Sequence, residues 1–416
     1  MTVFQVIAVL ITLTALFSYL NFKLIKLPTT IGVMLMALVV SLGLIAVGHF
    51  NPDVAHTAAQ WLQAVDFDKA LMQGMLSFLL FAGALHINLN DLAEQKGVVA
   101  ALAVGGVVIS TFLFGTAIYF ALGWLGLDLR YEWCLLFGAL ISPTDPIAVL
   151  GIVRSAKVPR SLEIQIAGES LFNDGVGVVA FLVCSEIALS GRGVTAGHIA
   201  ALFLEEAVGG ALFGLAAGYL TFRLLKSVDN YQVEVLLTLA LVIGGYALAS
   251  ALHLSGPIAI VVAGLLIGNH GRRLAMSDTT REHLDLFWEL LDGILNAILF
   301  VLIGLEVLVL TFTRDLFIAG LLAVPALVLA RWISVGLPVA VMKRWRSFTP
   351  GAVAIMTWGG LRGGISVALA LSLPAGRERE VVLAVTYILV VFSILIQGLT
   401  IHRVVQRVAA RAERQR

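Results

Sequence analysis

Ile141-Ser142-Pro143-Thr144-Asp145-Pro146-Ile147 sits in the middle of an apolar run at 132–152. Two prolines three residues apart remove backbone donors and break a helix. Irregular backbone at such a depth is tolerated only where it lines a cavity or a protein interface. Thr144 can offer a cation its hydroxyl and its carbonyl, and Asp145 would neutralise a helix N-terminus opened by the break. The plainer account is a proline kink capped by Asp145. A second interruption, Thr357-Trp358-Gly359-Gly360-Leu361-Arg362-Gly363-Gly364-Ile365-Ser366, places four glycines around one arginine inside another apolar run. A buried guanidinium requires a carboxylate or the carbonyls of a helix C-terminus.

The rest of the chain sets these breaks in a membrane. The 416 residues are 60% hydrophobic and 13% charged, with a mean hydropathy of +0.99. That charged share is about half of what a soluble domain carries, and a soluble surface cannot be built from it. The protein is therefore read as all-α, polytopic and in contact with lipid. A formal net charge of +1 offers nothing to recommend nucleic acid as a partner. Cys134 and Cys184 lie in apolar runs and read as buried thiols, not a disulfide framework. There is no GxxxxGK[ST], no HExxH and no spaced metal-ligand cluster. Nucleotide binding, ATP-driven pumping and chemical catalysis lose support, and no cofactor is expected.

Apolar stretches long enough to cross a bilayer, about 20 residues each, are placed at 3–22, 28–48, 70–89, 97–122, 132–152, 162–190, 200–222, 231–252, 255–270, 289–311, 315–341, 349–373 and 380–402. This amounts to one membrane unit of about thirteen spans, the first retained and not a signal peptide, with a basic tail at 403–416 able to lie on anionic lipid. Orientation follows from the loop charges. With the C-terminus in the cytoplasm, the inner loops and tail hold 19 basic residues, among them Lys157 and Arg416, and the outer loops hold 5, among them Arg192. The N-terminus is then outside. If span seven is a linker, the broken spans stand fifth in each of two six-helix halves, the pattern expected of inverted repeats.

Ionisable groups inside apolar runs must be stabilised or used. The strongest cluster is Gly168-Glu169-Ser170-Leu171-Phe172-Asn173-Asp174-Gly175. On a helix Glu169 lies one turn from Asn173, and Ser170 one turn from Asp174, in adjacent stripes. An Asp with a neighbouring amide and hydroxyl supplies hard oxygen ligands for a small alkali cation. The same carboxylate can hold a proton, because loss of water disfavours its charged form. Proton and cation then compete at Asp174, with a structural polar network as the alternative. Glu169 is the preferred partner for Arg362 and Asp145 the second choice. His86 and Asn88 read as a packed polar face, with a place in a cytosolic funnel second. Glu234, Asp292, Asn296, Glu306 and Arg331 could form interhelical bonds or line a vestibule. Gly264-Leu265-Leu266-Ile267-Gly268-Asn269 suggests tight packing.

Taken in order, Ser142-Pro143-Thr144-Asp145-Pro146, the cluster at 168–175, the stretch at 264–269 and Gly359-Gly360-Leu361-Arg362-Gly363-Gly364 carry a resemblance over roughly 5–400. The chain resembles bacterial sodium/proton antiporters of the monovalent cation/proton antiporter-1 family, the NhaP-like group related to animal sodium/proton exchangers. The resemblance implies an NhaA-type fold with crossed unwound helices, a dimerisation domain and a six-helix core, and a homodimer in the bacterial inner membrane. It implies electroneutral exchange of sodium or lithium for protons. It places cation and proton on Asp174 with Asn173 beside it, gives Ser170 and the Thr144 region as further ligands of the transported ion, and pairs Glu169 with Arg362. Many members carry an acidic residue in the third span, where this chain has Phe81-Ala82-Gly83, which leaves the order among sodium, lithium and potassium open. Potassium/proton exchange on the same scaffold and a gated cation channel are the competing functions.

Overall fold

In a bilayer core without water, each backbone N–H and C=O must find its partner within the chain, so apolar spans become helices. The computed structural model describes residues 3–48, 50, 67–155, 158–190, 196–310 and 312–414. Lys157, Arg192 and Arg416, used above for orientation, lie outside the described residues. The helices are α1 (Phe4–Ile25), α2 (Thr29–Gly48), α3 (Ala70–Leu85), α4 (Leu89–Trp124), α5 (Tyr131–Ile141), α6 (Ile147–Ser155), α7 (Arg160–Ser190), α8 (Ala200–Leu225), α9 (Tyr231–Ala251), α10 (Gly256–Leu266), α11 (Asp278–Glu306), α12 (Arg314–Met342), α13 (Ala352–Trp358), α14 (Gly364–Leu371) and α15 (Arg377–Val408). Among the described residues, nine are long and apolar enough to cross a membrane unaided. The short helices α3 and α10 and the split pairs α5–α6 and α13–α14 make up the remainder.

Several helices start where a polar side chain takes up free N–H groups, an arrangement worth about 1 kcal/mol at each cap. Asn88 accepts from the N–H groups of Asn90 and Asp91, so α4 begins at Leu89, ahead of its apolar run. Ser277 caps α11 in the same way, and that helix starts well before the run at 289–311. Asn88 is thus a capping residue and not part of a packed polar face. Asn269 ties the turn between α3 and α4 to the end of α10: its Nδ2 donates to Ile87 O at 2.9 Å and its Oδ1 accepts from Leu89 N at 2.8 Å.

Packing sorts the helices into two sets. In one, α4 lies on α5, α7 and α12, α5 on α7, and α15 on α12 and α14. In the other, α2 lies on α1 and α11, α3 on α10, and α8 and α9 on each other and on α10. The sets meet where α7 touches α10 and where α14 touches α3 and α11. The outer faces of α1 and α8 carry large apolar side chains such as Phe4, Leu212 and Leu220, all strongly exposed, as a lipid-facing surface requires.

Candidate cation site

The two interruptions meet each other. Asp145 N donates to Leu361 O at 2.8 Å, a single antiparallel backbone contact between the breaks. Each break also serves a helix end of the other. Arg362 Nη1 donates to Pro143 O at 2.9 Å and to Ser142 O, the carbonyls left free where α5 stops. A guanidinium there complements the negative end of the helix. Its own N–H donates to Ser393 Oγ of α15 at 2.8 Å. In return the Asp145 side chain stands at the N-terminus of α14. A Cβ on Gly363, the residue before that helix, would lie 3.0 Å from Asp145 Oδ2. The acid of one break thus faces a positive helix end of the other.

Helix α7 crosses directly behind the first break. Gly177 permits the approach, since a Cβ there would lie 2.5 Å from Pro143 Cγ. The two polar stripes of α7 then have different surroundings. Asn173 is turned onto the break: its Nδ2 donates to Thr144 Oγ1 at 2.8 Å and its Oδ1 accepts from Thr144 N at 3.3 Å. Ser170 Oγ donates to Thr144 O. Ser170 and Asp174, one turn apart, border a cavity of about 670 Å³, and Thr144 and Asp145 border it from the break. Asn173, expected among the ion-binding residues, ties α7 to the unwound segment through its two bonds to Thr144.

The expected pairing of Glu169 with Arg362 is corrected by the structure. Glu169 accepts two parallel bonds from Arg331 of α12, Nη1 to Oε1 at 2.5 Å and Nη2 to Oε2 at 2.9 Å. Arg331 Nη2 also reaches Met356 O near the end of α13, at 3.3 Å. The physical reason is twofold. Arg362 is committed to the carbonyls of the first break, and Gly360 leaves room for the other guanidinium, since a Cβ there would lie 2.5 Å from Arg331 Nε. Spacing marked Arg331 only as an ionisable group within a span; nothing in its position along the chain points to Glu169.

The cavity lies between the two helix sets. From one side come the first break, α7 and α14; from the other come Leu76–Ile87 around α3 and Glu289, Asp292, Asn296 and Leu299 of α11. It runs to His86 and Arg154, both exposed. His86 therefore borders the cavity. Ala82 borders it too. Ser366 of α14 was quoted above only as the end of a motif, yet it also lines the wall. Among the described residues, no group of three or more His, Cys, Asp or Glu is arranged to hold a resident metal ion.

Residues 10–407 match the family described as "Sodium/hydrogen exchanger, transmembrane". The chain is 50% identical over 413 residues to the Na(+)/H(+) antiporter NhaP of Pseudomonas aeruginosa, covering 98% of this chain and 97% of that one. It is 35% identical over 396 residues to the Na(+)/H(+) antiporter NhaH of Halobacillus aidingensis, covering 92% and 93%. Its fold matches that of the sodium proton antiporter MjNhaP1 from Methanocaldococcus jannaschii with a TM-score of 0.76, at 20% identity, over 98% of this chain and 99% of that one. Crossed broken helices beside a cavity that Asp145, Asp174 and Asp292 line, in a chain matched almost end to end, have one reading: the protein belongs to the sodium/hydrogen exchanger family and is a secondary sodium/proton antiporter of the NhaP-like type.

Proposed function

We propose that Asp174 is the group for which sodium and protons compete, with Ser170 and Thr144 as further oxygen ligands of the transported ion. The observation that carries this reading is the placement of Asp174 on the cavity wall beside the crossed breaks, where the two helix sets face each other. In the orientation described, the cavity connects Asp174 with the side of Arg154 and His86. There Asp174 releases a proton and takes a cation. The set holding α5, α7 and α14 then shifts against the set holding α3 and α11, and the exchange reverses on the other side.

Asp145 and Arg362 act on the broken helices, each balancing a helix end of the other break. Glu169 and Arg331 form a fixed ion pair, which leaves Asp174 as the carboxylate that changes protonation. Asn173, an amide engaged with Thr144, brings no second charge to the site, and this supports electroneutral exchange. An ionised Asp174 without a cation is costly to carry across the apolar barrier, and that cost suppresses leak. The chain acts as a homodimer in the bacterial inner membrane, with its N-terminus outside and its C-terminus in the cytoplasm. The asymmetry of basic residues between loops supports that orientation.

The test is proton movement in proteoliposomes holding an imposed pH gradient, followed as sodium, lithium or potassium is added. Wild type should dissipate the gradient with sodium or lithium, and Asp174→Asn should not. A response to potassium alone would keep the mechanism and change the cargo. Cation-dependent proton movement surviving in D174N would remove Asp174 from its assigned role.

A further inference from the structure

Two oxygen atoms on the cavity wall are buried and take part in no hydrogen bond: Oδ1 of Asn296 and Oγ of Ser366. The residues are 2% and 1% exposed. For Asn296 the orientation of the amide is settled chemically. Its Nδ2 donates to Asp292 O at 2.9 Å, and a carbonyl can only accept, so the oxygen must point the other way. A buried polar atom without a partner costs roughly 1–3 kcal/mol, and such atoms call for a functional account. Other buried orphan atoms occur among the described residues, but these two are the ones that border the cavity shared with Asp174.

Their surroundings suit a cation. The wall around them carries Asp145, Asp174, Asp292 and Glu289, with Arg154 at the exposed end. Carbonyl, amide and hydroxyl oxygens are the ligands that hard cations prefer. Leu299, one turn from Asn296 on α11, packs on Gly364 of α14, so the helices that carry Asn296 and Ser366 meet at the junction of the two helix sets, and both residues line the cavity there. Ala82 on α3 offers no oxygen from its side chain to the same cavity.

We infer that Asn296 and Ser366 complete the oxygen shell of the cation held at Asp174, and that Asn296 does so only while the cavity is open toward Arg154 and His86. This rests on Asp174 being the cation site. The one-sidedness follows from the packing. Ser366 belongs to the set that carries Asp174, whereas Asn296 belongs to the other set. Relative movement of the two sets shifts Asn296 against Asp174, while Ser366 moves with the set that carries Asp174. Loss of one ligand on the open side then helps the ion to leave on the far side.

The experiment measures sodium-dependent proton movement in proteoliposomes of known protein orientation, with sodium supplied from either side. Asn296→Ala should raise the half-saturating sodium concentration about tenfold on the side of Arg154, the effect of losing one bond to a charged group. On the opposite side the value should stay at that of wild type. Ser366→Ala should raise it on both sides. Sodium-dependent protection against thermal unfolding should weaken in both variants, which reads binding apart from transport. If N296A does not fold, Asn296→Ser removes the amide oxygen with a smaller change and should show the same split. An unchanged sodium dependence on both sides, or an equal rise on both sides in the Asn296 variants, overturns the inference. D174N in the same vesicles keeps the two questions apart: its inactivity with normal N296A kinetics sinks this inference alone, and its activity sinks the Asp174 assignment beneath it.

Discussion

Replacing Arg331 by methionine tests the ion pair that the structure substitutes for the expected one. The guanidinium gives Glu169 two bonds, at 2.5 and 2.9 Å, and Met356 O a third at 3.3 Å. The two side chains are only 7% and 3% exposed. Removing one partner of a buried pair costs about 3–5 kcal/mol, because the other charge is left without compensation. Unfolding entropy of about 2.1 cal/mol/K per residue comes to about 0.9 kcal/mol/K for a chain of 416 residues. R331M should therefore lower the apparent Tm of the purified protein by about 3–6 °C. Adding Glu169→Gln should restore most of the loss, since a neutral pair of similar volume replaces the ions. Arg362→Met leaves the Glu169 pair intact, so E169Q should not rescue it. The assay is thermal unfolding followed by intrinsic fluorescence in detergent at one fixed pH and salt concentration. A loss of less than about 1 °C in R331M, or rescue of R362M and not of R331M by E169Q, would refute the reasoning.

Two further substitutions probe the cavity and the crossing. Ala82→Glu adds a carboxylate to the cavity wall and should lower the half-saturating sodium concentration and change the ratio of sodium to lithium transport; unchanged values in vesicles would show that the third-span position does not reach the ion. Gly177→Val drives side-chain carbon into Pro143, where a Cβ alone would already stand at 2.5 Å. The cost should be at least roughly 1–3 kcal/mol, with a lower apparent Tm and a slower maximal rate. A variant with both at wild-type levels would mean that α7 need not lie so close to the break.

Much of this protein could be read along the chain. Low charge content and repeated apolar runs determined an all-helical membrane protein, because a bilayer admits few other structures for such a chain. Pro143 and Pro146, and the glycines around Arg362, marked the two interruptions, since a missing N–H or side chain acts locally. Asp174 stood out because a carboxylate in an apolar run is expensive wherever the helix points. The tertiary structure alone decided which groups meet. Arg331 and Arg362 are both arginines in apolar surroundings, and only the crossing and rotation of α7, α12 and α13 give Glu169 to the first and the Ser142 and Pro143 carbonyls to the second. Likewise, Ser170 and Asn173 are near neighbours on one helix and both bond to Thr144, yet of the two Ser170 is the one that borders the cavity. Asn296 and Ser366, 70 residues apart in sequence, share a cavity wall only after the two helix sets pack. Local chemistry is written in residue types and spacing; partnership between distant side chains depends on helix rotation and depth, which spacing along the chain does not encode.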